Sequence, residues 1–171
     1  MILDKIVKHK IQELEYTRKH IPLQELKAQV GHLDPTRDFR AAISKPDQIN
    51  LIAEIKKKSP SKGIIRQNFD HIQIAKIYVE HGASAISVLT DSQFFAGQLS
   101  YLSDIHAIAP LPILRKDFTI APYQIYEARV AGADAILLIV AILTLNQLKD
   151  FMTIAQSINL AIQVEVHTTE K

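Results

Sequence analysis

The sequence predicts an α/β protein built on a parallel sheet, and three observations support this class. Short apolar segments alternate along the chain with helical patterns. No Asn-Gly or similar tight-hairpin signal separates the apolar segments, and parallel strands need helical crossovers in place of hairpins. The segment from Ala133 to Val140 is an almost continuous apolar run, as expected of a strand that is covered on both faces.

The first 46 residues carry helical patterns only. Residues 2–20 predict an amphipathic helix. Its expected apolar stripe consists of Ile2, Leu3, Ile6, Val7, Ile11 and Leu14. Two shorter helices are predicted over 23–30 and 38–44. We therefore expect residues 1–46 to form an N-terminal helical extension that packs over the rest of the chain, residues 47–171.

After this extension the sequence predicts strands and helices in strict alternation. The strands are expected at 51–56, 84–90, 112–116, 133–140 and 160–166. The helices are expected at 70–81, 99–108, 122–131 and 145–157. Asp70 and Thr144 are suitable N-terminal caps for the first and last of these helices, and Gly82 and Gly132 are suitable C-terminal ones.

The spacing of the predicted strand ends indicates a (β/α)₈ barrel. Candidate positions from Glu54 to Glu165 lie on average about 28 residues apart, so eight units need roughly 220 residues, close to the typical barrel length of about 250. The residues after the extension suffice for four complete βα units and a fifth strand. We therefore expect an incomplete, C-terminally truncated barrel of about five strands, which could self-associate through the unpaired edges of its sheet.

Composition excludes several kinds of site and partner. Of the 171 residues none is cysteine, which excludes disulfides, thiolate catalysis and cysteine metal sites. The net charge is +2, and no basic block is longer than Lys56-Lys57-Lys58, so we expect no nucleic-acid or membrane partner. The N-terminal segment MILDKIVKHK interrupts its apolar residues with charges, unlike a signal peptide or a membrane span. A cytoplasmic protein is expected.

Three of the five predicted strands end in charged side chains. Glu54 and Lys56 end the first strand, Lys116 the third and Glu165 the fifth. The carboxyl ends of parallel strands point to one face, where barrels place their active sites. Lysine and glutamate buried side by side can have pKa values moved towards neutrality, which suits general acid and base catalysis. The pattern therefore predicts a proton-transfer site, with structural ion pairs as the alternative.

No metal or cofactor is expected from the sequence. The seven histidines share no ligand spacing, and no P-loop or glycine-rich dinucleotide fingerprint is present. His167 follows the fifth predicted strand, where a solvent-facing loop residue is a better interpretation than a metal ligand.

Five segments of the chain resemble the indole-3-glycerol phosphate synthase family. They are IAEIKKKSPSKG (52–63), SVLTDSQFFAG (87–97), LRKDF (114–118), GADAILLIVAIL (132–143) and VEVH (164–167). They stand in the order and at the spacing of the family, and the helical extension resembles its N-terminal extension. The combination of Glu-x-Lys, Ser-Pro-Ser and Lys-Asp-Phe is specific to this family among the phosphate-binding barrels of tryptophan and histidine synthesis. The resemblance covers the whole chain and implies a TIM barrel.

The resemblance also implies an activity, that of a carboxy-lyase of tryptophan biosynthesis. The family closes the indole ring of 1-(2-carboxyphenylamino)-1-deoxyribulose 5-phosphate with loss of carbon dioxide and water. Lys116 resembles the general acid that protonates the substrate carbonyl oxygen, and Glu165 the acid/base group of the later dehydration and rearomatisation. Glu54 and Lys56 resemble the pair that orients the substrate and assists proton transfer, Lys56 also meeting an anionic group.

The substrate-binding residues follow from the same resemblance. Phe95, Phe118 and Leu137 are similar to the apolar wall around the anthranilate ring. Ser59 matches the loop serine near the substrate. This wall is expected to bury the catalytic lysine and so to lower its pKa.

The sequence departs from the family pattern in its last third. The segments that would supply an asparagine after strand six and a phosphate grip after strands seven and eight are absent, so we expect the chain to be inactive alone. Two alternatives stay open at this point. The chain is a non-catalytic half-barrel that acts through association, or it is another sugar-phosphate barrel such as phosphoribosylanthranilate isomerase, a family that lacks the helical extension.

Overall fold

The computed structural model describes residues 1–167. The α-helices of this part of the chain are α1 (Ile2–His20), α2 (Leu23–Val30), α3 (Phe39–Ala42), α4 (His71–Glu80), α5 (Ser100–Ile108), α6 (Pro122–Val130) and α7 (Leu145–Ser157). The strands are β1 (Ile52–Ile55), β2 (Lys58–Ser59), β3 (Gly63–Ile64), β4 (Ala85–Leu89), β5 (Ile113–Lys116), β6 (Ala135–Ile139) and β7 (Ala161–Glu165). A 3₁₀ turn, Val140–Ile142, follows β6. Within residues 1–167 no helix is both long and apolar enough to cross a membrane.

Five of the strands form one parallel sheet in the order β1-β4-β5-β6-β7. Each of the helices α4 to α7 connects one strand of this sheet to the next along the chain. The register places Glu54 opposite Ser87, and Leu89 opposite Lys116. This arrangement confirms the predicted α/β class with five parallel strands.

A small hairpin that the sequence patterns did not predict follows β1. Strand β2 pairs with β3 in antiparallel register, with Ser59 opposite Gly63. Three residues connect the two strands, and Gly63 lies in the left-handed region with φ 65°. The prediction that the chain has no hairpin is wrong here, because these strands are only two residues long and their turn is not an Asn-Gly type of two-residue turn.

Alternation along the strands divides the sheet residues between two faces. The residues packed against the helices are almost fully buried and form the larger hydrophobic core. The strand members of this core are Ile55, Ile86, Val88, Ile113, Ile136 and Leu138. Residues of the opposite parity face away from these helices, and Glu54 and Lys116 are among them.

The N-terminal extension covers that second face at the end where the strands begin. Phe39 packs against Ala85, Leu114 and Ala135, and its ring is buried. Alanines at the strand starts leave room for the phenylalanine ring, since a larger side chain there would overfill the space. The extension therefore packs over the sheet as expected, while a domain boundary at residue 46 stays a prediction.

Arg37 anchors the extension at the same end of the sheet. Its guanidinium donates hydrogen bonds to the carbonyl oxygens of Ala109, Leu111 and His106 at 2.8 to 3.0 Å. Its backbone amide donates to Asp134 Oδ1 at 2.8 Å. These bonds satisfy carbonyl groups in the last turn of helix α5 and in the loop that follows it, and such groups have no partner within the helix.

Helix α1 buries part of the predicted stripe and a lysine that was not predicted to be buried. Its buried residues are Ile6, Lys10 and Leu14, at helical i, i+4 spacing. Ile2 and Ile11, which were expected on the stripe, are about half exposed. The buried lysine has charged partners in the loops of the sheet, which are described below.

Candidate active site

A cavity of about 240 Å³ lies at the carboxyl ends of the parallel strands. Its lining residues are Glu54, Lys56, Leu89, Phe95, Lys116, Asp117, Phe118, Leu137, Ile139 and Glu165. Seven of the eight site residues predicted from the sequence are in this set, so the fold brings them together. Their chemical roles stay predictions.

A larger cavity of about 590 Å³ lies at the other end of the sheet. It is formed by residues 35–39 of the extension and by residues 159–161 at the start of β7. Its buried carboxylate, Asp134, already accepts hydrogen bonds from the backbone amides of Arg37 and Ile113. We therefore place the candidate site at the smaller cavity, where charged side chains with free hydrogen-bonding capacity converge.

Two ion pairs line the smaller cavity. Lys56 Nζ lies 3.0 Å from Glu54 Oε1, and Lys116 Nζ lies 3.4 Å from Glu165 Oε2. Ile55 faces the helices, as period-two alternation predicts. About a third of each of the four charged side chains remains exposed, so the wall buries Lys116 only in part.

The apolar wall of the cavity includes more residues than the sequence analysis assigned. The ring centroids of Phe95 and Phe118 lie 5.9 Å apart at an interplanar angle of 35°, and the buried Leu137 lines the same cavity. Leu89 and Ile139 complete the wall. Leu89 on β4 is the register partner of Lys116, and Ile139 on β6 is the register partner of Glu165. The strand-end pattern that identified Lys116 and Glu165 could therefore also have identified Leu89 and Ile139.

Ser59 is the predicted site residue that does not line the cavity. It is buried in the hairpin, and its Oγ accepts a hydrogen bond from the backbone amide of Lys62 at 3.2 Å. His167 Nε2 lies 3.1 Å from Glu165 Oε1, and its side chain is mostly exposed. Among residues 1–167 no group of three or more His, Asp or Glu side chains is placed to hold a metal ion.

A buried charge network lies directly behind the cavity and centres on Lys10. The ammonium of Lys10 is 3.0 Å from Asp117 Oδ1, 3.1 Å from Asp91 Oδ2 and 2.9 Å from Glu13 Oε2. Asp91 Oδ2 is within ion-pair distance but accepts no well-aligned hydrogen bond in the described part of the chain. Burial alone would lower the pKa of Lys10, but the charges of Asp117, Glu13 and Asp91 outweigh it and raise that pKa.

Arg115 completes this network from the helix-facing side of β5. Its guanidinium lies 3.3 Å from Asp117 Oδ2 and 2.8 Å from Glu127 Oε2. Burial would raise the pKa of Asp117, but the charges of Arg115 and Lys10 and the hydrogen bond from Thr90 Oγ1 lower it to about 2. Asp117 is therefore a fixed anion next to Lys116.

Comparison with known proteins places this site in a family. The family model described as indole-3-glycerol phosphate synthase matches residues 3–171. The chain belongs to the indole-3-glycerol phosphate synthase family. Membership confirms the resemblance drawn from the five segments, and it identifies the five-stranded sheet as part of the TIM barrel of this family.

Several curated relatives are named indole-3-glycerol phosphate synthase. The one from Desulforamulus reducens is 47% identical over 171 residues, covering 100% of this chain and 64% of the relative. The one from Rippkaea orientalis is 49% identical over 168 residues, covering 98% of this chain and 57% of the relative. The one from Albidiferax ferrireducens is 50% identical over 169 residues, covering 97% of this chain and 64% of the relative. The chain thus spans less than two thirds of the length of these synthases.

Solved structures show the same fold at low identity. An enolase of the mandelate racemase subgroup from Agrobacterium tumefaciens superposes with a TM-score of 0.52 at 15% identity, covering 82% of this chain and 40% of the enzyme. MenC from Desulfotalea psychrophila superposes with a TM-score of 0.50 at 15% identity, covering 85% of this chain and 37% of MenC. At this identity the likeness shows the fold alone.

Proposed function

We propose that the chain carries the proton-transfer groups of an indole-3-glycerol phosphate synthase, a carboxy-lyase of tryptophan biosynthesis. The reaction closes the indole ring of 1-(2-carboxyphenylamino)-1-deoxyribulose 5-phosphate with loss of carbon dioxide and water. One observation carries the proposal. Charged pairs and an aromatic wall, on segments far apart in the sequence, line a single cavity at the carboxyl ends of the strands.

The cavity suits the aromatic half of this substrate. A volume of about 240 Å³ exceeds the roughly 150 Å³ that holds benzene in an engineered protein cavity. Phe95 and Phe118 offer ring faces, and Leu137 offers an apolar floor. The substituted ring enters this space, while the sugar phosphate extends out of it.

Lys116 and Glu165 supply the proton transfers. The Lys116 ammonium donates a proton to the ketone oxygen as the ring carbon attacks the carbonyl carbon, so the new C–C bond forms without a free alkoxide. The carboxylate leaves as carbon dioxide, and its bonding electrons return to the ring. Glu165, whose Oε2 lies 3.4 Å from Lys116 Nζ, exchanges protons in the loss of the hydroxyl as water.

Glu54 and Lys56 orient the substrate on the opposite side of the cavity. Their ion pair places one positive and one negative group 3.0 Å apart on the first strand. Lys56 binds an anionic group of the substrate, and Glu54 keeps the Lys56 ammonium directed into the cavity. Tyr78 fixes the strand beneath them, since its hydroxyl donates to the Glu54 carbonyl oxygen at 2.8 Å.

The proposal is tested by turnover with this substrate, followed through the fluorescence of the indole product. Turnover is measured for the 171-residue chain and for a fusion of it to the part of the Desulforamulus reducens relative outside the aligned region. In the active protein, Lys116→Ala should lower kcat by a factor of about 10² to 10⁴ with an unchanged circular dichroism spectrum, because it removes a general acid. Glu165→Gln should also lower kcat, through the later step.

The matched control is Lys76→Ala, an exposed lysine of α4 remote from the cavity, which should keep the parent kcat. Turnover of Lys116→Ala within about threefold of the parent would contradict the role of Lys116. Absence of turnover from both the chain and the fusion would contradict the proposed function.

The expected cellular setting is part of the same proposal. A biosynthetic reaction on a phosphorylated small molecule, together with the absence of cysteine, supports a cytoplasmic location. Fractionation of cells that produce the chain tests this expectation, and recovery in the membrane or secreted fraction would contradict it.

A further inference from the structure

Two loops present the aromatic wall of the cavity, and both begin with a buried aspartate. Asp91 follows β4 and precedes Phe95, and Asp117 follows β5 and precedes Phe118. Asp91 Oδ1 accepts from the backbone amide of Phe94, and Asp117 Oδ1 accepts from that of Phe118, each at 2.7 Å. Each carboxylate therefore determines the path of the backbone that carries a wall residue.

The first loop is also held by its own close packing. The Gly97 amide donates to the Asp91 carbonyl oxygen at 2.8 Å, which closes the loop. A Cβ atom on Gly97 would overlap the carbonyl oxygen of Leu89. The loop is therefore closely packed against Leu89 at its Gly97 end.

Lys10 is the residue that joins the two loops. Its ammonium lies between the two carboxylates, 3.1 Å from Asp91 Oδ2 and 3.0 Å from Asp117 Oδ1, and it is 1% exposed. Asp117 keeps a second cation, Arg115, but Lys10 is the cation within ion-pair distance of Asp91 among residues 1–167. Loss of the lysine would leave Asp91 as a buried charge with no counterion.

We propose that Lys10 is a positioning residue, whose buried ammonium holds the loops bearing Phe95 and Phe118 and so lets helix α1 fix the aromatic wall. The expected effect of Lys10 on substrate binding rests on the proposed function. The expected effect of Lys10 on the two loops does not. His9, the neighbour of Lys10, adds an edge-to-face contact with Phe94 at 5.8 Å. Helix α1 therefore meets the first loop at two adjacent residues.

Hydrogen exchange of the 171-residue chain tests the loop contacts directly. Lys10→Met keeps the apolar stem and removes the charge, and Lys8→Met is the matched control because Lys8 is exposed on the same helix. We expect exchange in peptides covering 91–97 and 117–121 to accelerate by about tenfold or more in Lys10→Met, and to stay at the parent rate in Lys8→Met. Lys10→Arg should restore part of the protection.

Unchanged exchange in both loops of a folded Lys10→Met chain would overturn the proposal. If Lys10→Met does not fold, the same exchange measurement is made on Asp91→Asn. Its amide oxygen can still accept from Phe94, while the attraction to Lys10 is lost. Faster exchange confined to 91–97 in Asp91→Asn supports the proposal, and exchange at the parent rate there overturns it.

Kinetics of the active protein separate positioning from a merely structural role. A wall that binds the ring equally in the ground state and the transition state affects KM, so Lys10→Met should raise KM by about tenfold with kcat per folded molecule within about threefold. A fall in rate that follows the folded fraction, with KM unchanged, would overturn the proposal. Absence of turnover in the parent would defeat the proposed function, whereas the exchange result would still decide whether Lys10 holds the loops.

Discussion

Asp117 shows how single residues determine the electrostatics of the site. It has Lys10 and Arg115 as counterions, and Thr90 Oγ1 donates to it at 2.6 Å. These partners stabilise the anion against the burial that would otherwise favour its neutral form. A permanent negative charge beside Lys116 is therefore a built-in property of the candidate site.

The lowered pKa of Asp117 predicts a specific acid sensitivity. Its pKa falls from 3.8 to about 2 on folding, so the group stabilises the folded chain above pH 3.8 and this contribution is lost as the pH falls towards 2. The loss amounts to about 2 kcal/mol. Urea unfolding between pH 5 and pH 2 should therefore show a flatter pH dependence for Asp117→Asn than for the parent. Asp150→Asn is the control, because Asp150 is exposed, and it should keep the pH dependence of the parent. An equal pH dependence of the free energy of unfolding in the parent and in Asp117→Asn would contradict the lowered pKa of Asp117.

The positions of site residues were predictable where a local pattern fixes the direction of a side chain. Glu54 and Lys56 share a face because strand side chains alternate, and Lys116 and Glu165 end parallel strands that meet at one edge. Lys10 could not be found in this way, because its partners Asp91 and Asp117 are remote in sequence and a helical lysine is ordinarily exposed.

Whole elements were predicted to within one or two residues at most ends, since their caps have clear signals. Asp70 and Thr144 each accept backbone amides of the following helix, and Gly132 ends α6 with φ 95°. The hairpin of β2 and β3 carried no comparable signal, because its strands are two residues long. The third helix is two residues shorter at its C-terminus than expected, ending at Ala42.

At the scale of elements, the extension stabilises the sheet through Phe39. The ring is buried against small residues at the strand starts, so Phe39→Ala leaves a cavity that these short side chains cannot fill. We expect a loss of about 3–5 kcal/mol in the free energy of unfolding, measured by urea denaturation. Ile49→Ala is the control, because Ile49 is almost fully exposed, and it should change stability by less than about 0.5 kcal/mol. Similar losses for both variants would show that the extension does not pack as described.

At the scale of the whole molecule, the sheet of the described residues has two edges, β1 and β7. Edge strands offer unpaired backbone groups to other chains, and Val164 on β7 is substantially exposed. We predict that the 171-residue chain associates with itself as its concentration rises, which light scattering will show as a mass above that of one chain. Val164→Lys should reduce this association by placing a charge on the edge. A parent chain that stays monomeric at every concentration would contradict the prediction.

The location of the bound product tests the central claim most directly, namely that the cavity at the strand ends is the catalytic site. The measurement is a crystal structure of the active protein with indole-3-glycerol phosphate bound. The account predicts the indole ring between Phe95 and Phe118, with Lys116 Nζ and a carboxylate oxygen of Glu165 within hydrogen-bond distance of the product. An indole ring bound elsewhere, for instance in the larger cavity near Asp134 at the other end of the sheet, would contradict it.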